Sequence, residues 1–190
     1  VSVNDAIQSV GVAGVIKRTP TDINIYVYIK PKLKAVTHEY EAWFETDSGV
    51  VDGDLIAVTV GGSLTYYLVA GLVPDERASE FFKYNAKLFR CNHTIKTLIL
   101  DDTTKKFVDG ITGIPCLITD GGITQMSDRG VVLPGFGGKD DTYSLYCQPN
   151  GITRKSALVD DDGRQLKISG NINPYFAKGI YEISIKLEGN

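Results

Sequence analysis

The sequence predicts a mainly β fold, one or two small antiparallel barrel or sandwich domains with little helix, on three observations. Apolar and polar residues alternate along 36–46 and again along 180–188, a period of two that a helix cannot use. Glycine-based turn signals recur, among them Gly61-Gly62, Asp109-Gly110, Asp120-Gly121-Gly122 and Asp162-Gly163. The chain also holds 20 Gly and 10 Tyr against one Met and one Trp, a balance that favours turns and strands.

Taken in order, residues 2–10 read as one short helix, with Ser2 placed to cap it, and Gly11 and Gly14 end it. Residues 23–30 form a strand, with Ile25, Val27 and Ile29 on one face and Tyr26 and Tyr28 on the other. Along 36–46, Tyr40, Ala42 and Phe44 point one way and Glu39, Glu41 and Glu45 the other, which makes a half-buried strand. Trp43 falls on the acidic face, where it is either covered by a neighbouring loop or acts as an interface anchor. After the turn formers of 48–54, residues 55–60 and 64–70 flank Gly61-Gly62 as a β-hairpin, because paired glycines supply the positive φ of a tight turn. Pro74-Asp75 reads as a stop, residues 76–83 as a helical turn, and 88–91 as a resumed strand. Further strands are expected near 113–119, 142–148, 152–159, 164–169 and 180–188. Between them, 119–141 is a long polar, glycine-rich loop, and such loops are usually functional or flexible.

The hydrophobic fraction of 43% and charged fraction of 23% are those of a chain that folds. A boundary near Asp101-Asp102 would give domains 1–100 and 101–190, each the size of a small barrel. One continuous sandwich is the alternative, because nothing at 101–106 has the composition of a linker.

A net charge of −3 without a Lys/Arg cluster leaves no footprint for a phosphate backbone, so sequence-specific nucleic acid is not an expected partner. No run reaches the roughly 18 apolar residues that cross a bilayer, and no membrane association is expected. Cys91, Cys116 and Cys147 are odd in number and lack a C-x-x-C pair, which points to reduced thiols.

Chemistry is hard to assemble from these residues. A nucleophile needs a base and a group to orient it, and His38 and His93 are the two histidines of the chain. Cys91 and His93 would share a strand face, yet a buried thiol beside a turn histidine is the plainer reading. Cys-x-His lacks zinc spacing. In Asp160-Asp161-Asp162-Gly163 the glycine comes fourth, not sixth as in a calcium loop, so a solvated hairpin turn is expected. Gly138-Lys139 is followed by Asp140 where a P-loop needs Ser or Thr. The pairs Asp101/Asp102 and Asp140/Asp141 are sequence neighbours, as in an exposed loop, whereas glycosidase carboxylates are defined by spatial separation. No catalytic residue, metal or cofactor is therefore expected.

Residues 36–92 carry Glu41-Ala42-Trp43-Phe44, then Gly49-Val50-Val51-Asp52-Gly53-Asp54-Leu55-Ile56, then Tyr66-Tyr67-Leu68-Val69, then Tyr84-Asn85-Ala86-Lys87-Leu88-Phe89-Arg90-Cys91-Asn92. This third of the chain resembles head-closure (stopper) and head–tail connector proteins of tailed bacteriophages. The resemblance implies a small β-barrel entered by a Gly-Asp step, and a virion protein assembled in the host bacterial cytoplasm. It also implies a homo-oligomeric ring between the portal or adaptor and the tail terminator. A ring repeats one heterologous contact, and the residues expected to supply it are Trp43 with Gly130, Pro134, Gly135, Phe136, Gly137 and Gly138 of the long loop. Two rival classes share the composition: a tail or baseplate component, and a carbohydrate-binding β-sandwich in which Tyr and Trp stack on sugar rings.

Overall fold

A computed structural model describes residues 3–31, 38–45, 47–75, 83–101, 103–120, 142–174 and 179–187. The fold is mainly β, and the chain divides into two compact units: 1–91 with 175–180, and 92–174 with 181–190. Each unit holds a closed antiparallel barrel.

The first unit opens with α1 (Val3–Val10) and continues with β1 (Val12–Lys17), β2 (Ile23–Pro31), β3 (Glu39–Phe44), β4 (Leu55–Val60), β5 (Ser63–Asp75) and β6 (Lys83–Arg90). Its strands close in the order β1-β2-β3-β6-β5-β4. Alternation fills the barrel: Ile16, Ile25, Val27, Ala42, Phe44, Ile56, Val58, Tyr67, Val69 and Leu88 form one buried cluster. Gly11 ends the helix because its N–H donates to the Ile7 carbonyl at 2.7 Å, and a Cβ there would stand 2.5 Å from that oxygen. Gly61 and Gly62, with φ of 57° and 82°, make the two-residue turn of the β4–β5 hairpin.

The second unit contains β7 (His93–Leu100), β8 (Phe107–Asp109), β9 (Ile114–Asp120), β10 (Thr142–Cys147), β11 (Ala157–Asp160), β12 (Gln165–Pro174) and β13 (Tyr181–Leu187). The order β11-β12-β13-β10-β9-β7 closes through β7–β11 pairing. Leu98 pairs with both Ala157 and Asp109, and Ile95 with both Asp160 and Ile114. Strands β8 and β9 therefore share the β7 edge opposite β11. The barrel uses β9, and β8 continues as a hairpin with the end of β7. Ile95, Cys116, Leu145, Cys147, Leu158, Leu166, Ile183 and Ile185 make the core.

Several expectations change. The division lies at Cys91–Asn92 rather than near 101, because Asp101 bonds Lys105 and Lys106 within the β7–β8 hairpin. Strands β1, β7 and β8 were not expected: β1 holds only six residues beside two glycines, and β8 only three, too short for a period to register. Strand β5 does not stop at Pro74 but runs to Asp75, pairing there with β6. On the other edge of β5 the β4 ladder ends at the Leu55–Leu68 pair, Gly53 and Asp54 bond Val69, and Asp52 takes the Leu72 N–H. At Pro74 the described pairing is with β6 alone, and an edge without a ladder partner tolerates a residue without an N–H. Strand β9 reaches Asp120, two residues into the expected loop. The helical turn expected at 76–83 falls outside the described residues except for Lys83, which begins β6.

Candidate functional site

On the outside of the first barrel the register builds a depression. Asn24 of β2 lies opposite Val15 of β1, Val15 opposite Ala57 of β4, and Ala57 opposite Tyr66 of β5. One row along, Tyr26 lies opposite Ala13, and Thr59 opposite Leu64. The two middle strands thus present small side chains and the two flanking strands large ones, which leaves an open groove of about 630 Å³ walled by Tyr26, Leu64 and Tyr66. Gln8 of α1 and Glu45, just beyond β3, also line it, and the Gln8 amide donates to the Glu45 carboxylate at 2.7 Å. Lys17 is a further lining residue, bonded to Asp22 at 2.5 Å. That hydrogen bond raises the Lys17 pKa and lowers that of Asp22.

Trp43 stands beside this groove. Opposite Tyr28 in the β2–β3 register, it is half-buried against that ring, with centroids 5.5 Å apart and planes at 37°. Its cover is thus a cross-strand tyrosine rather than a loop. Tyr26 is 43% and Tyr28 37% exposed, so β2 offers an aromatic strip at the surface. The other expected contact residues, Gly130, Pro134, Gly135, Phe136, Gly137 and Gly138, lie outside the described residues.

The Gly53-Asp54 step has a structural use. The Asp54 side chain is buried and accepts from Arg18 Nε at 2.8 Å, Arg18 Nη2 at 2.6 Å and the Val51 N–H at 2.8 Å. Arg18 Nη2 also donates to the Gly49 carbonyl at 2.8 Å, tying the end of β1 to the β3–β4 connection.

In the second barrel Asp160–Gly163 is the hairpin turn expected, joining β11 to β12 with Asp161, Asp162 and Gly163 exposed, and its first residue turns inward. Asp160 is fully buried and accepts from Arg164 Nε at 2.7 Å and from the N–H groups of Asp162 and Arg164. His93, at the start of β7, meets Asp161 at 2.8 Å, so one cluster of His93, Asp160, Asp161 and Asp162 has atoms within 4.8 Å of one another. The residues of this cluster suit a divalent cation in type, but Arg164 bonds both Asp160 and Asp162. A guanidinium already supplies the positive charge there, which makes the cluster a clamp on the turn. Partial burial opposes ionisation of Asp161, but hydrogen bonds from His93 and the Thr94 N–H outweigh it and hold its pKa low. No sequence spacing signals a contact between residues 93 and 161.

Asn92 continues the ladder with its side chain, its amide donating to the Ile118 carbonyl and accepting from the Ile118 N–H, both at 2.9 Å. His93 is therefore a strand residue and not the turn residue expected. Cys91, Cys116 and Cys147 form no disulfide, and burial pushes the Cys147 thiol up to about 12.

The second barrel's distinctive surface is the β7–β8 hairpin. Ile99, Leu100, Phe107 and Val108 are each 45–62% exposed, and β8 has no described pairing besides β7. The hairpin is an apolar tip beside a strand edge that has no partner among the described residues. Among the described residues no helix is long and apolar enough to cross a membrane.

Fold and surface together define a protein of two closed antiparallel β-barrels, with an aromatic groove on one and an apolar hairpin on the other. The chain matches no family model, no curated protein and no solved structure.

Proposed function

We propose that the chain is a non-enzymatic structural protein of a tailed-phage virion, a head-closure component that forms a ring between the portal and the tail. The observation that carries this reading is where the resembling residues fall. Glu41–Phe44 lie in β3, Leu55-Ile56 begin β4 behind the buried Asp54, Tyr66–Val69 lie in β5, and Tyr84–Arg90 lie in β6. All belong to one small closed barrel, the architecture such proteins imply.

A ring is built from a heterologous contact, which needs two different surfaces on each copy. The β7–β8 hairpin and the Tyr28–Trp43 face are two such surfaces, one an apolar projection and one an aromatic strip on a closed wall. Peptide mass spectrometry and cryo-electron microscopy of purified virions test the reading directly. Protein density in the neck is the expected result; density in the baseplate, or absence from particles, overturns it. The double variant Leu100→Asp, Phe107→Asp should keep the β circular dichroism spectrum, because both side chains are about half exposed or more, and should lose incorporation into particles.

A further inference from the structure

We propose that the groove on the first barrel binds an uncharged saccharide, an inference independent of the assembly role because it uses neither the hairpin nor the Tyr28–Trp43 pair. Three properties of the groove select that ligand class.

The first is shape. A volume of about 630 Å³ falls within the roughly 300–1,000 Å³ of small-molecule sites. The register fixes its floor as Ala13, Val15 and Ala57, with Tyr26 and Tyr66 rising on opposite sides. A low apolar floor between two aromatic side chains suits a flat ligand with C–H faces.

The second is the arrangement of polar groups. Gln8, Asn24, Glu45 and Thr59 line the same groove as the apolar floor. Their amide, carboxylate and hydroxyl groups include both donors and acceptors. A sugar has the matching pattern, apolar C–H faces edged by hydroxyls that donate and accept at once. A wholly apolar ligand would take Asn24 and Thr59 out of water without offering them a hydrogen bond.

The third is charge. The ionised side chains lining the groove are Lys17 and Glu45, one of each sign. Each already has a partner, Asp22 for Lys17 and the Gln8 amide for Glu45. The Glu45 carboxylate also lies 3.4 Å from the Tyr26 N–H. These hydrogen bonds hold the side chains in place before a ligand arrives, which lowers the ordering cost of binding. With Lys17 neutralised by Asp22 and Glu45 bonded to a neutral amide, the groove offers an anionic ligand no attraction.

Saturation-transfer difference NMR on the full chain, with maltose, cellobiose, lactose and N,N′-diacetylchitobiose at millimolar concentration, tests the proposal. Transfer to at least one of these neutral disaccharides is expected. Tyr26→Ala and Tyr66→Ala should each weaken that binding by roughly five- to tenfold, the size of one lost aromatic contact. Phe107→Ala, on the hairpin of the other barrel, should leave it unchanged. Both tyrosines carry exposed ring surface, and native Trp43 fluorescence verifies that each variant retains the first barrel. Asn24→Ala offers a second probe that removes hydrogen bonding without touching an aromatic ring, and it should weaken binding as well. The proposal is overturned by the absence of transfer to all four sugars, by transfer that persists undiminished in both tyrosine variants, or by stronger binding of a sulfated disaccharide. Loss of saccharide binding with normal particle incorporation would sink this inference alone; absence from particles with intact saccharide binding would sink only the assembly role.

Discussion

Each barrel is pinned by one buried aspartate bonded to one arginine, and the two pairs differ in what they join. Asp54 and Arg18 are 36 residues apart, and their contact links the end of β1 to the β3–β4 connection. Asp160 and Arg164 are four apart and close a single hairpin turn. The chemistry is nearly identical, a carboxylate meeting a guanidinium and backbone N–H groups. The consequence differs because holding distant segments together offsets a larger loop-closure entropy than holding a turn the backbone already favours.

The largest effect should therefore come from Asp54→Ala. Its removal takes a buried carboxylate from Arg18 Nε and the Val51 N–H, and because its bonds join distant segments about 2–3 kcal/mol of stability should be lost. Asp160→Ala should cost less, about 1–2 kcal/mol, because the Arg164 side chain is 44% exposed and can be rehydrated. Trp43 is the single tryptophan of the chain and lies in the first barrel, so its fluorescence in urea follows that barrel while far-UV circular dichroism follows both. A Trp43 midpoint lowered equally by the two variants would break the comparison.

Next in size, the barrels should respond to acid in different pH ranges. Partial burial, with Arg90 nearby, pushes His38 below its ordinary value of 6.5. Unfolding then releases a histidine that binds protons more readily than it does in the fold. Its share of stability is complete above about pH 6.5 and declines as pH falls through the folded value. For Asp161 in the second barrel, the lowered pKa adds stability above its ordinary 3.8 that is lost only as pH falls through the folded value below that. The Trp43 midpoint should begin to drop between pH 7 and 5, and His38→Gln should flatten it over that range. A wild-type midpoint that stays flat from pH 7 to 5 would remove His38 from the account.

How much of this could be read in the residues follows from the length and separation of each feature. The β4–β5 hairpin was legible because Gly61-Gly62 sits between two alternating runs, and β13 because Tyr181, Ile183, Ile185 and Leu187 keep a strict period. Strand β1 was hidden: Gly14, placed inside the barrel, would bring a Cβ to within 3.2 Å of Val58, so close packing put a glycine where an apolar side chain would have marked the strand. The groove was hidden for another reason. Ala13, Val15 and Ala57 look unremarkable singly, and they become a floor only when closure sets β4 against β1 across some 40 residues of sequence. The same holds for His93 and Asp161, whose meeting depends on β7–β11 pairing. Trp43 was placed on the right face by alternation alone, but its Tyr28 partner required the β2–β3 register.

The smallest effect separates the barrels by their thiols. Cys116 and Cys147 face each other in the β9–β10 register at the core of the second barrel, both with no exposed surface, whereas Cys91 at the end of the first is half-buried. With burial pushing its pKa up to about 12, the Cys147 thiol stays almost wholly un-ionised at pH 8, and the thiolate is the form that reacts. Native protein treated with a thiol reagent should therefore label Cys91 first, and Cys116 and Cys147 only as the second barrel opens. That rate is a local measure of stability, which allows the two clamps to be compared without global unfolding. Asp160→Ala should speed labelling of Cys147 and leave that of Cys91 nearly unchanged. Asp54→Ala should speed Cys91 instead. Peptide mapping after timed labelling distinguishes the sites, and Cys147 reacting as fast as Cys91 in the native wild type would show that the second core is not closed around it.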